Sequence, residues 1–243
     1  MFDFKKKIDA AIILQKEKKY TAAKNIYDQL IKLESKKYPQ LFFNRGTVNF
    51  ELKNYKQSIL DFEKAIKLNN NFIDAYLNIS LVFKTLNFLE KSIYYLDQVI
   101  HIDKKNYVAF NNRAMVNVKR REFKLALNDL NDAIKIHPKY INALFARAYV
   151  HKELKLFKES LNDFDEILKV DFNNNLAKFG KGLVYLLLGD LNKGFNFYEY
   201  RKYHKKFIDI FSKKKNKKQI NLNKILNKNI LIIGEQGLGD NIQ

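Results

Sequence analysis

Three asparagines stand 34 residues apart in this chain: Asn44, Asn78 and Asn112. A side-chain amide carries both a donor and an acceptor, so a ladder of amides can hold the backbone of an extended peptide without reading its side chains. Around them fall Phe43, Leu77, Leu81, Asn111, Met115, Phe145, Tyr149, Phe179 and Leu183, a mostly apolar set that suits a hydrophobic peptide or a partner helix. A second candidate lies near the C-terminus, where Ile230-Leu231-Ile232-Ile233 runs into Gly234-Glu235-Gln236-Gly237-Leu238-Gly239-Asp240. Four apolar residues before a glycine-rich turn read as a buried strand entering a helix. Glycines let the backbone approach a ligand there, and a helix N-terminus favours an anion, so Gly234, Gln236, Gly237, Gly239 and Asp240 form a candidate ligand loop. The sequence has no Gly-Lys-Ser/Thr, and the third glycine of the dinucleotide fingerprint is missing.

The rest of the chain offers no catalytic constellation and no metal site. His101, His137, His151 and His204 are scattered without metal-ligand spacing, and His101 and His137 read as surface or capping groups at helix ends. Acidic groups such as Asp129, Asp132, Asp163, Asp165 and Glu166 sit among lysines and amides and read as solvated faces. There is no cysteine, which excludes disulfides and thiolate metal sites.

The elements that must position these residues follow from the same 34-residue step. Small residues recur at Gly46, Ser80, Ala114, Ala148 and Gly182, and again at Ser58, Ser92, Ala126, Ser160 and Gly194. Two small residues per period, 12 apart, are what two antiparallel helices need where their backbones come closest. With Gly46 at position 8, repeats start near Pro39, Ile73, Tyr107, Ile141 and Asn175, and a looser one starts near Phe4 with Ala11 and Ala23 at its small positions. Each repeat is expected to hold a helix A at positions 1–14, a tight turn, and a helix B at about 18–31. In the clearest repeat, helix A is expected over Tyr107–Arg120 and helix B over Phe123–Ile136, with Pro138 as a stop. Pro39 opens another helix at a position where proline is tolerated. The fold class is therefore an all-α solenoid of helical hairpins, with one strand of an α/β domain expected at the C-terminus.

The pattern resembles the tetratricopeptide repeat (TPR) over about residues 4–204, or six repeats. The resemblance rests on large residues at position 4 (Phe42, Tyr76, Phe110, Leu144), position 17 (Tyr55, Leu89, Phe123, Phe157) and position 24 (Phe62, Leu96, Leu130, Phe164). Position 27 departs from the family pattern at Val99 and Ile167, where Ala65 and Ala133 keep it; the branched residues are expected to push neighbouring helices slightly apart. The resemblance implies a right-handed superhelix whose A helices line a concave groove, so the asparagine ladder and its apolar neighbours become a peptide-binding groove. The lysine and asparagine clamp of chaperone-binding TPR proteins is not in register here, which argues against a chaperone C-terminus as the ligand.

The last repeat changes character. Gly189-Asp190, Gly194 and Tyr198-Glu199-Tyr200-Arg201, followed by Gly234–Asp240, resemble bacterial TPR proteins that continue into a two-lobed glycosyltransferase domain. The resemblance implies that residues 230–243 begin such a lobe. A nucleotide sugar would then belong to a longer parent enzyme, while this chain carries no cofactor and is inactive by itself. The leucine-rich stretch Leu183–Leu188 is more apolar than a free solenoid end should be, so a covering element is expected there.

Charge sharpens the domain boundaries. The net charge is +19, and residues 201–229 hold 11 Lys and Arg against one acid. That stretch lacks aromatic interleaving and nucleic-acid motifs, so residues 205–229 read as a solvated basic linker and nucleic acid is not the expected partner. No run of 18 apolar residues exists, so no membrane span is expected and the setting is taken as cytoplasmic. The leading expectation is a protein-binding or peptide-binding scaffold that serves as the recognition arm of a glycosyltransferase. A free-standing TPR adaptor for complex assembly is the alternative, and a basic binder of nucleic acid or membrane surfaces stands third.

Overall fold

The computed structural model describes residues 2–34 and 38–203. Twelve helices among these residues form six antiparallel pairs: α1 (Phe2–Lys16) with α2 (Tyr20–Glu34), α3 (Pro39–Glu51) with α4 (Tyr55–Leu68), α5 (Ile73–Thr85) with α6 (Leu89–Ile102), α7 (Tyr107–Lys119) with α8 (Phe123–Ile136), α9 (Ile141–Glu153) with α10 (Phe157–Val170), and α11 (Asn175–Leu187) with α12 (Leu191–Tyr198). A short 3-10 turn, Glu199–Tyr203, follows. The odd-numbered helices are the A helices and the even-numbered ones the B helices. Each B helix packs on the next A helix, and successive A helices also touch, as α3 does α5 and α7 does α9. The described residues are therefore all-helical, as the period requires. The expected linker 205–229 and the strand and glycine loop from Ile230 lie outside the described residues.

Local chemistry explains the helix ends. Asn106 and Asn174 cap α7 and α11, their side chains accepting the N–H of Ala109 at 2.9 Å and of Ala177 at 3.0 Å. Asp190 caps α12 through the N–H of Lys193. Every A-to-B turn closes in one way. In the first three-residue turn after α3, the N–H of Asn54 donates to the carbonyl of Asn49 at 2.7 Å and that of Lys53 to Phe50 at 2.9 Å, the paired bonds of a Schellman ending. This motif needs a left-handed residue, and Lys18, Lys53, Asn87, Arg121, Lys155 and Gly189 supply it with φ of 59–79°. Only Gly189 takes that conformation without a Cβ penalty.

The two small-residue series meet inside each pair. Ser58, Ser92 and Ser160 each donate a side-chain hydrogen bond, at 2.8 Å, to the backbone carbonyl of Gly46, Ser80 and Ala148 respectively. In the last pair, a Cβ on Gly182 would stand 2.8 Å from the backbone nitrogen of Tyr198, so this close approach admits no side chain. Phe62, Leu96 and Leu130 are buried at position 24. Val99 and Ile167, the branched residues at position 27, are both fully buried. At the C-terminal end of the stack, Leu187, Leu188, Leu191 and Phe195 are exposed.

Candidate functional site

Position 9 of four consecutive A helices carries Thr47, Leu81, Met115 and Tyr149. The last three are 40%, 38% and 44% exposed, and together they make an apolar stripe in step with the repeat. The row beside it is the asparagine series. Asn44 is buried and accepts a hydrogen bond from Gln40 at 3.1 Å. Asn78 reaches across to Thr47 on the preceding A helix at 3.4 Å, and Asn112 is half-buried. At the N-terminal end of this face, Ile8 and Ile12 of α1 and Gln40, Asn44, Thr47 and Glu51 of α3 line an open hollow of about 380 Å³. Positions 2, 6, 9 and 13 of the A helices thus share one face.

The other groove residues named from the sequence sit differently. Phe43 is half-buried between the rings of Phe62 and Phe72, with centroids 5.9 and 5.0 Å away. Phe145 meets Phe164 edge-on at 6.0 Å, and Leu77 packs in the cluster of Leu96 and Val99. Position 5 therefore packs partly into the hairpin, because its side chain lies closer to helix B than that of position 9. Asn111 interrupts this apolar series. It is buried, and its side-chain oxygen has no hydrogen-bond partner.

A periodic polar network stands at positions 7, 11 and 23, and sequence reasoning missed it. Arg45 donates to both oxygens of Asp61 and also to Asp28 of the preceding B helix, at 2.6–3.0 Å. Arg113 likewise joins Asp129 to Asp97, and Arg147 joins Asp163 to Asn131. A third group donates to or shares a proton with the same carboxylate: Asn49 on Asp61 at 2.9 Å, Asn117 on Asp129 at 3.3 Å, and His151 on Asp163 at 2.8 Å. Asp129 and Asp163, expected on solvated faces, are buried at 5% and 2% exposure. The pairing with arginine is what makes their burial tolerable. Burial pushes the Asp129 carboxyl above the ordinary range, and the Arg113 guanidinium pulls it partly back. Asp132 is exposed as expected, and Asp165 binds Lys181 of the next repeat. The available signal was the period itself: Arg45, Arg113 and Arg147, and Asp61, Asp129 and Asp163, recur in the same step or its double.

Two pairs replace the network with rings. In α5–α6 the same positions hold Ile79, Phe83 and Tyr95, and the last two stack at 5.5 Å with planes 9° apart. In α11–α12, Tyr185 and Phe197 stack at 5.9 Å beneath the ammonium of Lys181. Among the described residues no group of His, Asp and Glu is placed to hold a metal ion, and no helix is long and apolar enough to cross a membrane.

Residues 39–72, the second helical pair with its following loop, match the tetratricopeptide-repeat family. The helical stack is a TPR solenoid. Part of the chain is similar to the Hsp70/Hsp90 co-chaperone CNS1 of Saccharomyces cerevisiae, with 30% identity over 117 residues, 46% of this chain and 30% of that protein. It is also similar to DnaJ homolog subfamily C member 7 of Mus musculus, with 26% identity over 45% of this chain and 23% of that protein. The match thus spans less than a third of either relative. Among solved structures, the TPR solenoid is similar to PilW, a type IV pilus biogenesis factor, with a TM-score of 0.72, 15% identity, and coverage of 86% of this chain and 98% of that one. YrrB, a TPR protein with an unusual peptide-binding site, aligns with a TM-score of 0.57 and 16% identity over 77% of this chain and 97% of its own. At these identities the two structures speak to the fold.

Proposed function

We propose that this TPR solenoid is a protein-binding scaffold whose A-helix face, the concave groove of the superhelix, holds a segment of a partner protein. The observation that carries the reading is the stripe Leu81, Met115 and Tyr149. Three large apolar side chains stay exposed in the same register across three repeats, on a face that also carries Asp74, Asn78, Asn112, Lys119 and Glu153. Each is already more than half buried, so covering the rest gains about 0.6–1.3 kcal/mol, a fraction of the full-burial value. The amides of Asn78 and Asn112 beside the stripe suit the backbone of an extended segment. The co-chaperone relatives and the peptide-binding site of YrrB fit an adaptor that assembles protein complexes.

The test is a partner recovered with the intact chain, measured again with Met115→Glu and Tyr149→Glu. Affinity is expected to fall at least about tenfold with the melting temperature unchanged, since both side chains are exposed. Undiminished affinity in both variants overturns the reading. Asn44→Ala, Asn78→Ala and Asn112→Ala together are expected to weaken the same binding by a smaller factor.

A second reading is favoured by one sequence observation, the order Gly189-Asp190, Tyr198-Glu199-Tyr200-Arg201 and Gly234–Asp240. In it the scaffold is the substrate-recognition arm of a glycosyltransferase that uses a nucleotide sugar, with residues 205–229 as the linker. Coding sequence beyond Gln243 for a two-lobed α/β region supports this reading, and a verified stop codon there removes it.

A further inference from the structure

Among the described residues, Lys84 is a partly buried cation without an ion pair. Lys84 lies in the last turn of α5, and Lys119 ends α7. The Lys119 ammonium donates to the backbone carbonyl of Lys84 at 3.2 Å, which brings the two lysines together where adjacent A helices meet. That contact accounts for Lys119, because a cation at a helix C-terminus is favoured by the helix dipole and shares a terminal carbonyl that also accepts the Asn87 N–H. It does not account for Lys84, which is half-buried and has no ion pair among the described residues. Three other partly buried lysines are paired, Lys24 with Asp28, Lys152 with Glu153 and Lys181 with Asp165, and Lys178 lies over the rings of Phe172 and Tyr200. Burial, and then the neighbouring Lys119 charge, hold the Lys84 ammonium below the ordinary lysine range.

We propose that Lys84 and Lys119 receive a side-chain carboxylate of the bound segment, so the partner is an acidic, apolar peptide stretch. This rests on the binding face described above. Lys84 follows the stripe residue Leu81 by three positions and Lys119 follows Met115 by four, spacings that share a helix face. A segment lying on Leu81 and Met115 therefore passes the lysine pair. Two ammonium groups carry six N–H donors, one of which Lys119 gives to the Lys84 carbonyl, and a carboxylate accepts several such bonds. A polyanion fits poorly. Glu51 and Glu153 occupy the position of Lys119 in other repeats, so carboxylates flank the pair along the row and repel a continuous phosphate backbone. Lys152, in the next repeat, is already held by Glu153 and lies 4.9 Å from the Tyr149 ring centroid. The half-buried Lys84 ammonium beside Leu81 and Met115 thus suits one acidic side chain among apolar ones.

The experiment is selection from a random dodecapeptide library displayed through its C-terminus, so that no terminal carboxylate is free. Selected peptides are expected to combine apolar residues with Asp or Glu. The best of them, made synthetically, is expected to lose about tenfold in affinity when its acid becomes the amide. A similar loss is expected with Lys84→Gln plus Lys119→Gln, and little further loss when both changes are combined. Selected peptides without an acid, or an amide twin that binds equally well, overturn the lysine site and leave the groove standing. Selection that survives Met115→Glu and Tyr149→Glu overturns the groove itself. Displacement of the peptide by single-stranded DNA at equal concentration marks a general anion surface and also overturns the proposal. The amide twin needs no change to the protein, so the test stands even where a lysine variant folds poorly.

Discussion

The pairs α7–α8 and α5–α6 share a backbone plan and fill the same gap with opposite chemistry. In α7–α8 the gap holds Arg113, Asn117 and Asp129, closed by hydrogen bonds of 2.6–3.3 Å. In α5–α6 it holds Ile79, Phe83 and Tyr95, closed by a ring stack. Both arrangements bury or half-bury their members, and α11–α12 combines the two, with the Lys181 ammonium over the stacked rings of Tyr185 and Phe197. A buried charge is tolerable only with its partner, while a ring in the same place is covered by another ring or by a cation. The repeat therefore fixes the shape of the gap and leaves its contents free, provided the set is complete. The polar version has a cost visible in the structure: the side-chain oxygens of Asn49 and Asn117 are buried without a partner, each worth about 1–3 kcal/mol.

The comparison breaks most severely when one set loses a member. Asp129→Ala strands the Arg113 guanidinium and is expected to cost about 3–5 kcal/mol, read from urea denaturation or local hydrogen exchange in α7–α8. Phe83→Ala is expected to cost a similar or slightly smaller amount, about 3–4 kcal/mol, through the cavity beside Tyr95. The sharper trial transplants one set into the other pair. Arg113→Ile, Asn117→Phe and Asp129→Tyr together are expected to fold within about 2 kcal/mol of the wild type, far better than Asp129→Ala alone. A triple variant no more stable than that single one would falsify the interchangeability of the two sets. Loss of the Arg113 contact to the half-exposed Asp97 adds little in this trial.

The smallest effect separates the two turns. Arg121 and Asn87 both sit at positive φ, 62° and 66°. Arg121→Gly is expected to raise stability by up to about 1 kcal/mol. Asn87→Gly is expected to change it less, because asparagine already tolerates this conformation. Equal gains from both would show that backbone strain is not what distinguishes the turns.

Much of this was legible in the chain. Helix α8 was expected over Phe123–Ile136 and is found there, because its apolar residues recur at helical spacing and Pro138 stops it. The meeting of the two small series followed from their 12-residue offset. The acidic residues were misplaced for a definite reason. A lone aspartate on a helix is ordinarily solvated, and nothing local to Asp129 or Asp163 announces the arginine 16 residues earlier. Position 5 was likewise assigned to the open face, although Phe43 and Phe145 lie against the rings of Phe62 and Phe164.

What the sequence determined by itself is the repeat: its length, its helices, its turns and the small residues on which they cross. These are short-range consequences of periodicity, since each pair packs only on its neighbours. Only the tertiary structure decided which polar groups are buried, that Leu81, Met115 and Tyr149 stay exposed in register, and that Lys119 comes to rest on the carbonyl of Lys84. Those facts depend on how one helix turns its face to the next, and side-chain direction across an interface is set by packing between repeats rather than by spacing within one.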